Sequence, residues 1–132
     1  MPKELLKEKP RRVVFIDDEK AFLDMYSVKF QAAGFETLAL DEPIKLFDEI
    51  IAFNPDIIFL DLVMEKSDGL AILKGLKNTV AAKWVPVVML SNINNEADKN
   101  ECLKEGASQF LIKAEFTPGE LLGYAKEILK MV

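Results

Sequence analysis

The sequence predicts an α/β domain, a doubly wound five-stranded parallel sheet made of five consecutive βα units. Three observations support this fold. Short apolar, β-branched runs recur five times along the chain, as is typical of strands that are covered on both faces. Stretches with helical spacing of apolar residues alternate with these runs, which indicates parallel strands joined by crossover helices. The 132 residues, half of them apolar, suffice for one buried core.

The five predicted strands are apolar runs rich in Val, Ile and Phe. They cover residues 13–16, 35–40, 57–60, 85–90 and 109–112. Near-continuous apolarity is expected where a strand packs against helices on both sides of its sheet. Right-handed crossovers between such strands leave only a few possible topologies.

Four helices are predicted from apolar stripes with a spacing of three or four residues, and one further helix is weaker. The stripes are Phe22, Met25, Tyr26, Phe30 and Ala33 in the first helix, Ile44, Phe47, Ile50 and Ile51 in the second, Leu70, Leu73 and Leu76 in the third, and Leu121, Leu122, Ala125, Ile128 and Leu129 in the last. The weaker helix, 96–105, offers only Ala97, Cys102 and Leu103 for burial.

Residues typical of helix ends support these boundaries. Gly34 stands where a left-handed C-cap would end the first helix, and Gly106 closes the fourth helix. Pro43 suits the first turn of the second helix. Thr117 and Glu120 have the spacing of a capping box, which predicts that the last helix begins there.

Composition and charge exclude several classes of protein. The net charge of −5 argues against a nucleic-acid surface, because phosphate backbones require a basic one. The chain has one cysteine, Cys102, and no histidine, which excludes an intramolecular disulfide and a Cys–His nucleophile and disfavours a zinc site. Neither a membrane-spanning run nor a secretory signal is found. We expect a cytoplasmic protein with a charged extension at 1–11 and one domain at 12–132.

Chemically active side chains follow four of the five predicted strands. The first strand is followed by Asp17, Asp18 and Glu19, the third by Asp61, the fourth by Ser91 and the fifth by Lys113. Ligands of open parallel α/β sheets bind beyond the carboxyl ends of the strands, so we expect these groups to meet at one edge. A single aspartate after a strand is usually a turn or cap residue. Only the combination indicates a site.

This combination suits phosphoryl transfer to a carboxylate. Close carboxylates repel one another, and a divalent cation with oxygen ligands, such as Mg²⁺, relieves the repulsion. A carboxylate can act as the nucleophile, and a metal can bridge it to the phosphoryl oxygens. A lysine and a hydroxyl can hold the remaining oxygens as negative charge spreads over them.

The chain resembles the receiver domains of bacterial response regulators over residues 12–132. The resemblance rests on VVFIDDE at 13–19, DIIFLDLVM at 56–64, DG at 68–69, VPVVMLS at 85–91 and EGASQFLIK at 105–113. It implies a flavodoxin-like strand order, 2-1-3-4-5, and a function in two-component (phosphorelay) signal transduction.

The resemblance implies a role for each matching residue. Asp61 would be the phosphoacceptor, and Asp17, Asp18, Asp61 and the backbone carbonyl of Val63 would bind Mg²⁺, with Mn²⁺ as a substitute. Ser91 and Lys113 would contact the phosphoryl group. Ser91 and Phe110 would form the switch that alters the surface of the fourth helix, fifth strand and fifth helix.

The resemblance also implies partners. The phosphoryl donor would be a sensor histidine kinase or a phosphotransfer protein, and the altered surface would control a downstream protein target. No direct contact with nucleic acid or a membrane is expected. The chain would be a monomer or a weak dimer on phosphorylation. It would be regulatory rather than an enzyme, although it would assist its own phosphorylation and dephosphorylation.

Three residues depart from the usual pattern of the family. Ala114 follows Lys113 where the family usually has a proline with a cis bond, and we predict a trans bond because a cis bond before a non-proline residue costs about 2.5–4 kcal/mol. Glu65 stands where the family often has proline, and it adds negative charge at the rim. Phe110 lacks the hydroxyl that a tyrosine would supply.

Three other functions compete with this interpretation. An aspartate-based phosphatase of the haloacid-dehalogenase type would need an acid two residues after Asp61, where the chain has Val63. A flavodoxin would need a phosphate-binding loop after the first strand, where the acidic residues 17–19 would repel phosphate. A degenerate receiver that binds partners without phosphorylation is the main alternative.

Overall fold

The computed structural model describes residues 9–131, in which five strands alternate with five helices. The strands are β1 (Arg12–Ile16), β2 (Glu36–Leu40), β3 (Ile57–Asp61), β4 (Val87–Ser91) and β5 (Gln109–Ile112). The helices are α1 (Lys20–Ala32), α2 (Leu46–Phe53), α3 (Gly69–Lys77), α4 (Glu96–Lys104) and α5 (Pro118–Ile128). A short 3-10 turn, Lys113–Glu115, follows β5. Residues 1–8, which form most of the predicted charged extension, and Val132 lie outside the described part of the chain.

The sheet is parallel throughout, and its strand order is β2-β1-β3-β4-β5. The predicted fold class and strand order are therefore confirmed. β3 and β4 are buried along their whole length, as expected of inner strands that carry helices on both faces. Asp61 is the last residue of β3 and Ser91 the last of β4, so both lie at the carboxyl edge of the sheet.

The side chains of each strand alternate between two cores, one on each face of the sheet. One core packs strand residues such as Val14, Ile58 and Met89 against α2, α3 and α4. The other packs Phe15 and Phe59 against α1 and α5. A fully buried side chain of this size contributes about 1.5–3 kcal/mol to folding. Because each strand is apolar on both faces, helices pack against both sides of the sheet.

The predicted helix ends are confirmed at three places. Gly34 and Gly106 have φ angles of 93° and 105°, in the left-handed region that favours glycine after a helix. Thr117 and Glu120 form a complete capping box at the start of α5. The Thr117 hydroxyl accepts from the Glu120 amide at 3.1 Å, and the Glu120 carboxylate accepts from the Thr117 amide at 2.9 Å.

The predicted start of the second helix is wrong. Pro43 does not lie in the first turn of α2; it begins a separate turn, in which its carbonyl accepts from the amide of Leu46 at 3.2 Å. Lys45 has a φ of 56° and is left-handed. A left-handed residue cannot continue a right-handed helix, so α2 begins only at Leu46.

The apolar stripe predicted for the second helix is also partly wrong. Ile44, Phe47 and Ile51 are 70%, 37% and 41% exposed. The residues of α2 that enter the core are Leu46 and Ile50. Because the helix begins three residues after Pro43, the face that meets the sheet is rotated relative to the predicted one, and of the predicted stripe only Ile50 is buried.

Smaller errors of the same kind occur on α1 and α4. Met25 and Leu103 are 46% and 39% exposed, and Ala33 and Ala97 are exposed as well. On α1 the buried side is formed by Leu23, Tyr26 and Phe30. Ala33 is the C-cap residue, which lies just after the last residue of the helix. On α4 only Cys102 is buried.

Among the described residues no helix has both the length and the apolar character to cross a bilayer.

Trp84, the single tryptophan of the chain, lies in the loop between α3 and β4. This loop enters β4 from the amino edge of the sheet, opposite to the edge that carries Asp61 and Ser91. The Trp84 side chain is 83% exposed, and the ammonium of Lys83 lies 5.1 Å from its ring centroid. The indole is therefore a surface group that contributes little to the core.

Candidate functional site

Four polar side chains are buried at the carboxyl edge of the sheet. Asp17, Asp61, Ser91 and Lys113 are each at most 3% exposed, and within residues 9–131 they are the polar or charged residues that are buried. Burying a charge is costly unless it is paired or binds an ion. All four residues are predicted from the sequence as site residues, and the fold brings them to one edge as expected.

Asp61 is a buried carboxylate with few hydrogen bonds. Its Oδ2 lies 3.3 Å from the Lys113 ammonium, and its Oδ1 accepts a long hydrogen bond, 3.4 Å, from the amide of Val63. Burial raises the pKa of Asp61 to about 6, a rise that the positive charge of Lys113 opposes and the negative charge of Asp17 increases. The environment of Asp61 therefore destabilises the charged form of its carboxyl group.

Lys113 is enclosed on several sides. Its Nζ lies 2.7 Å from Oδ2 of Asp17, 3.3 Å from Oδ2 of Asp61 and 3.6 Å from Oε1 of Glu19. The ring centroid of Phe22 lies 4.2 Å from the same nitrogen. Burial alone would lower the pKa of Lys113, but its contacts with Asp17 and Asp61 raise it overall, so the ammonium stays charged.

The backbone after Lys113 follows the predicted trans path. No cis peptide bond occurs among residues 9–131, and the chain turns through the 3-10 segment Lys113–Glu115. Lys113 nevertheless points into the site, with its side chain 1% exposed. Ala114 in place of proline therefore leaves the lysine directed at Asp61.

The acidic residues after β1 form a group of possible metal ligands. Asp17, Asp18 and Glu19 can each offer one carboxylate oxygen, all within 4.8 Å of one another. Oδ1 of Asp17 accepts from the amide of Glu19 at 2.9 Å. Oδ2 of Asp17 is buried without a well-aligned hydrogen bond from the described residues, although Lys113 lies near it. An excess of carboxylates over the one ammonium that they share fits a hard divalent ion such as Mg²⁺.

Asp18 is exposed and is held from the β3–α3 loop. Its Oδ2 accepts a hydrogen bond of 2.7 Å from the backbone amide of Glu65. In the same loop Val63 pairs with Asp68 in a β-bridge, and the Asp68 side chain caps α3 by accepting from the amide of Leu70 at 2.9 Å. The loop that follows Asp61 is therefore tied to the predicted metal ligands and to the start of α3.

Gly69 allows the start of α3 to pack directly on the backbone of the site. A Cβ atom at this position would overlap the carbonyl oxygen of Asp61 and crowd the backbone of Leu62. The amide of Gly69 also donates to the carbonyl of Leu62 at 3.0 Å. Only a residue without a side chain fits here, which explains why glycine follows the Asp68 cap.

Ser91 makes only local hydrogen bonds. Its hydroxyl donates to the carbonyl of Ile93 at 2.9 Å and accepts from the amide of Ile93 at 3.1 Å. Phe110 pairs with Met89 across the sheet and is 8% exposed, within the core on the side of α2, α3 and α4. Ser91 therefore lies at the predicted edge, with its hydroxyl bonded to its own loop, and Phe110 is packed inward.

Two residues near the site have no role in the sequence prediction. Glu19 enters it only as part of the acidic run, although its place directly after Asp18 is an available signal. Phe22 is predicted only as part of a helix stripe, yet its ring lies against the Lys113 ammonium. Nothing in the local sequence indicates that contact, because the two residues lie far apart in the chain and are brought together only by tertiary packing.

Comparison with known proteins identifies relatives over most of the chain. Residues 13–126 match the family model described as "Response regulator receiver domain". The DNA-binding dual master transcriptional regulator RpaA of Synechocystis sp. is 29% identical over 119 residues, and the phosphate regulon transcriptional regulatory protein PhoB of Pseudomonas aeruginosa is 28% identical over 120 residues. These matches cover 90% and 91% of this chain but 49% and 52% of those proteins. The chain thus spans about half the length of the curated relatives it matches.

Solved structures share the same fold. The chemotaxis response regulator CheY4 of Vibrio cholerae superposes with a TM-score of 0.82 at 24% identity, over 91% of this chain and 99% of that one. The receiver domain of the Francisella response regulator 1452 superposes with a TM-score of 0.80 at 28% identity, over 91% of this chain and 97% of that one. At 24% identity the first likeness supports the fold alone.

Proposed function

The chain belongs to the receiver domains of two-component response regulators, and from this premise we propose that Asp61 is the residue that accepts the phosphoryl group. The observation that carries the proposal is the environment of Asp61. It is a 2% exposed carboxylate at the end of β3, with the Lys113 ammonium 3.3 Å away and a raised pKa. A carboxylate buried against a single shared lysine and beside a second carboxylate indicates a functional group rather than a structural ion pair.

In the proposed reaction an Oδ atom of Asp61 forms a bond to phosphorus while the bond from phosphorus to the leaving group of the donor breaks. The leaving group, the imidazole of a phosphohistidine or the carboxylate of an acyl phosphate, keeps the electron pair of that bond. Because the pKa of Asp61 is about 6, most of the carboxylate is ionised and nucleophilic at neutral pH. Lys113 lies where it can neutralise charge on the phosphoryl oxygens.

Receiver domains generally bind Mg²⁺ in an acidic pocket, and we propose that Asp17, Asp18, Asp61 and the carbonyl of Val63 hold it here, with Mn²⁺ as a substitute. The clustered carboxylates, and the single ammonium that Asp17 and Asp61 share, support this assignment. When bound, the ion would supply positive charge that offsets the negative charge of the carboxylates and of the transferred phosphoryl group. Glu19 is a further oxygen donor at the same place.

We propose that Ser91 and Phe110 carry the signal away from the site. To hold a phosphoryl oxygen, the Ser91 hydroxyl would give up the hydrogen bond that it donates to the carbonyl of Ile93. That change would loosen the 91–93 segment and leave room for Phe110 to shift within the core. The surface of α4, β5 and α5 would then differ between the two states, as in other switches driven by one new charge.

Receiver domains are regulatory, and we propose a histidine kinase or phosphotransfer protein as the donor and a downstream protein as the target. The finer proposals are a domain at 12–132, a monomer or weak dimer after phosphorylation, no direct contact with nucleic acid or membrane, and a cytoplasmic location. RpaA and PhoB are transcriptional regulators by name, and this chain matches about half of each. The chain itself would assist its own phosphorylation and dephosphorylation through the site residues.

The test is incubation of the purified protein with acetyl phosphate and Mg²⁺, followed by intact mass measurement. The parent should gain the mass of one phosphoryl group, and the Asp61→Asn variant should gain none. Omission of Mg²⁺ should prevent the gain. A parent that stays unmodified would favour the phosphorylation-independent alternative, and an equal gain in Asp61→Asn would place the acceptor elsewhere.

A further inference from the structure

We infer that the backbone amide of Glu65 positions Asp18 as a metal ligand, so that position 65 tunes the Mg²⁺ affinity of the site through its N–H group rather than its carboxylate. The inference rests on the proposed function, because it assumes that Asp18 binds the ion. It assigns a role to a residue that departs from the usual pattern of the family.

The hydrogen bond between the two residues is short and joins separate loops. The Glu65 nitrogen lies 2.7 Å from Oδ2 of Asp18, at the short end of the range for an amide that donates to a carboxylate. The residues are 47 positions apart in the sequence. Asp18 is exposed, and among the described residues this is the hydrogen bond that its carboxylate accepts. Without it the side chain would be free to rotate in solvent.

The donor of this bond is itself held in place. Val63 pairs with Asp68 across the base of the loop, and the amide of Gly69 donates to the carbonyl of Leu62 at 3.0 Å. These contacts close the 62–69 segment around Glu65 and fix the direction in which its N–H points. An amide with a fixed direction can orient a carboxylate at little further entropic cost.

The residue type at position 65 decides whether the bond can form. Proline, which the family often has at this position, carries no N–H and could not donate to Asp18. Glutamate, or any other non-proline residue, supplies the donor. The bond occupies one oxygen of Asp18 and leaves the other for a metal. Outer hydrogen bonds that orient metal ligands are typically worth about 10- to 100-fold in metal affinity.

The experiment separates the N–H group from the side chain by comparing the parent, Glu65→Ala and Glu65→Pro. Glu65→Ala keeps the N–H and removes the carboxylate, whereas Glu65→Pro removes both. The dissociation constant for Mg²⁺ is measured by titration of the ¹⁵N-labelled proteins with MgCl₂, without a phosphoryl donor. Glu65→Ala should bind within about threefold of the parent, and Glu65→Pro about tenfold more weakly.

Equal affinities of Glu65→Pro and Glu65→Ala would overturn the inference while leaving the proposed function intact. A parent that binds no Mg²⁺ would overturn both. If Glu65→Pro does not fold, the parent is compared with Asp18→Ala in the absence of metal. The Glu65 amide resonance should then shift upfield and its hydrogen exchange should accelerate in Asp18→Ala. An unchanged resonance and exchange rate would show that the bond is absent and would refute the inference.

Discussion

The two edges of the sheet carry charged clusters that differ in burial. At the carboxyl edge, Lys113 and Asp17 have side chains that are 1% and 3% exposed. At the amino edge, Arg12 pairs with Glu36 at 3.0 Å, and these side chains are 39% and 48% exposed. Both clusters join residues from different strands, yet only the first takes its charges out of water.

The two clusters also differ in how completely their charges are matched. Arg12 donates to Glu36 and to the carbonyl of Phe53 at 3.0 Å each, and its backbone amide donates to Asp56 at 2.8 Å. At the other edge one ammonium, that of Lys113, faces several carboxylates. The difference shows that the amino edge is an ordinary exposed ion pair, whereas the carboxyl edge keeps an excess of negative charge that an added cation can neutralise.

The largest effect is expected from removal of the buried ammonium. Lys113→Met keeps an unbranched side chain but leaves no positive charge beside Asp61. The rate of phosphorylation by acetyl phosphate in the presence of Mg²⁺ should fall about 100-fold, the size of effect seen when one charge-stabilising donor is lost. The rate is followed as intact mass against time. A rate within about threefold of the parent would mean that Lys113 does not contact the phosphoryl group in the transition state.

The second prediction concerns stability and its dependence on pH. The pKa of Asp61 is about 6 in the folded protein and about 3.9 in an unfolded chain, so its ionisation opposes folding as the pH rises between those values. In EDTA at pH 7.5, Asp61→Asn should therefore raise the free energy of unfolding by about 1–3 kcal/mol.

Near pH 4 Asp61 is largely protonated in the folded state. The neutral carboxyl group should then affect the free energy of unfolding much as the asparagine amide of the variant does. Urea unfolding of parent and variant at both pH values measures the difference. The gain from Asp61→Asn should shrink at the lower pH. A variant that is less stable than the parent at pH 7.5, or a gain that is equal at both values, would refute the proposed cause of the raised pKa.

A smaller effect is expected from the aromatic contact with Lys113. Phe22→Leu removes the ring face that lies 4.2 Å from the ammonium, and a desolvated contact of this kind is worth about 1–2 kcal/mol. Phosphorylation by acetyl phosphate should slow by about five- to thirtyfold, the rate equivalent of that energy. Phe22→Trp should restore most of the rate, because its ring attracts cations more strongly. Equal rates in the Phe22→Leu and Phe22→Trp variants would show that Phe22 acts through apolar packing and not through its attraction for the ammonium.

The smallest effect is expected at the amino edge. Glu36→Gln removes the charge partner of Arg12, and because the pair is exposed the free energy of unfolding should change by less than about 1 kcal/mol. The phosphorylation rate should equal that of the parent. This variant is the matched control for Lys113→Met. A loss of several kcal/mol would show that the two edges are less different than their exposure indicates.

The meeting of the candidate site residues at one edge could be predicted from the sequence because it depends on strand ends. Asp61, Ser91 and Lys113 each stand at or directly after the end of an apolar strand, and a parallel sheet brings such ends to one edge. Contacts between distant segments were not accessible in this way. The bond from Glu65 to Asp18 and the contact of Phe22 with Lys113 depend on how loops and helices pack, which no local pattern indicates.

The helices also include features that a local sequence pattern predicts and features that it does not. The capping box of Thr117 and Glu120 is a local pattern, and its prediction is confirmed. Pro43 also fits a local pattern, but the left-handed Lys45 separates it from the helix. The helix therefore begins at Leu46, and Ile44 and Ile51 are exposed instead of packing in the core. Start signals are therefore reliable where two groups bond reciprocally and weaker where one residue is merely compatible.

The position of Trp84 has a practical consequence for optical experiments. Its indole is 83% exposed at the edge of the sheet opposite to Asp61, so the tryptophan fluorescence of the protein should report neither metal binding nor phosphorylation. The emission should already lie near that of free tryptophan in water and be quenched readily by iodide or acrylamide. In the Phe22→Trp variant a second indole would stand against Lys113. Adding Trp84→Phe to that variant would leave a single tryptophan, located at the site.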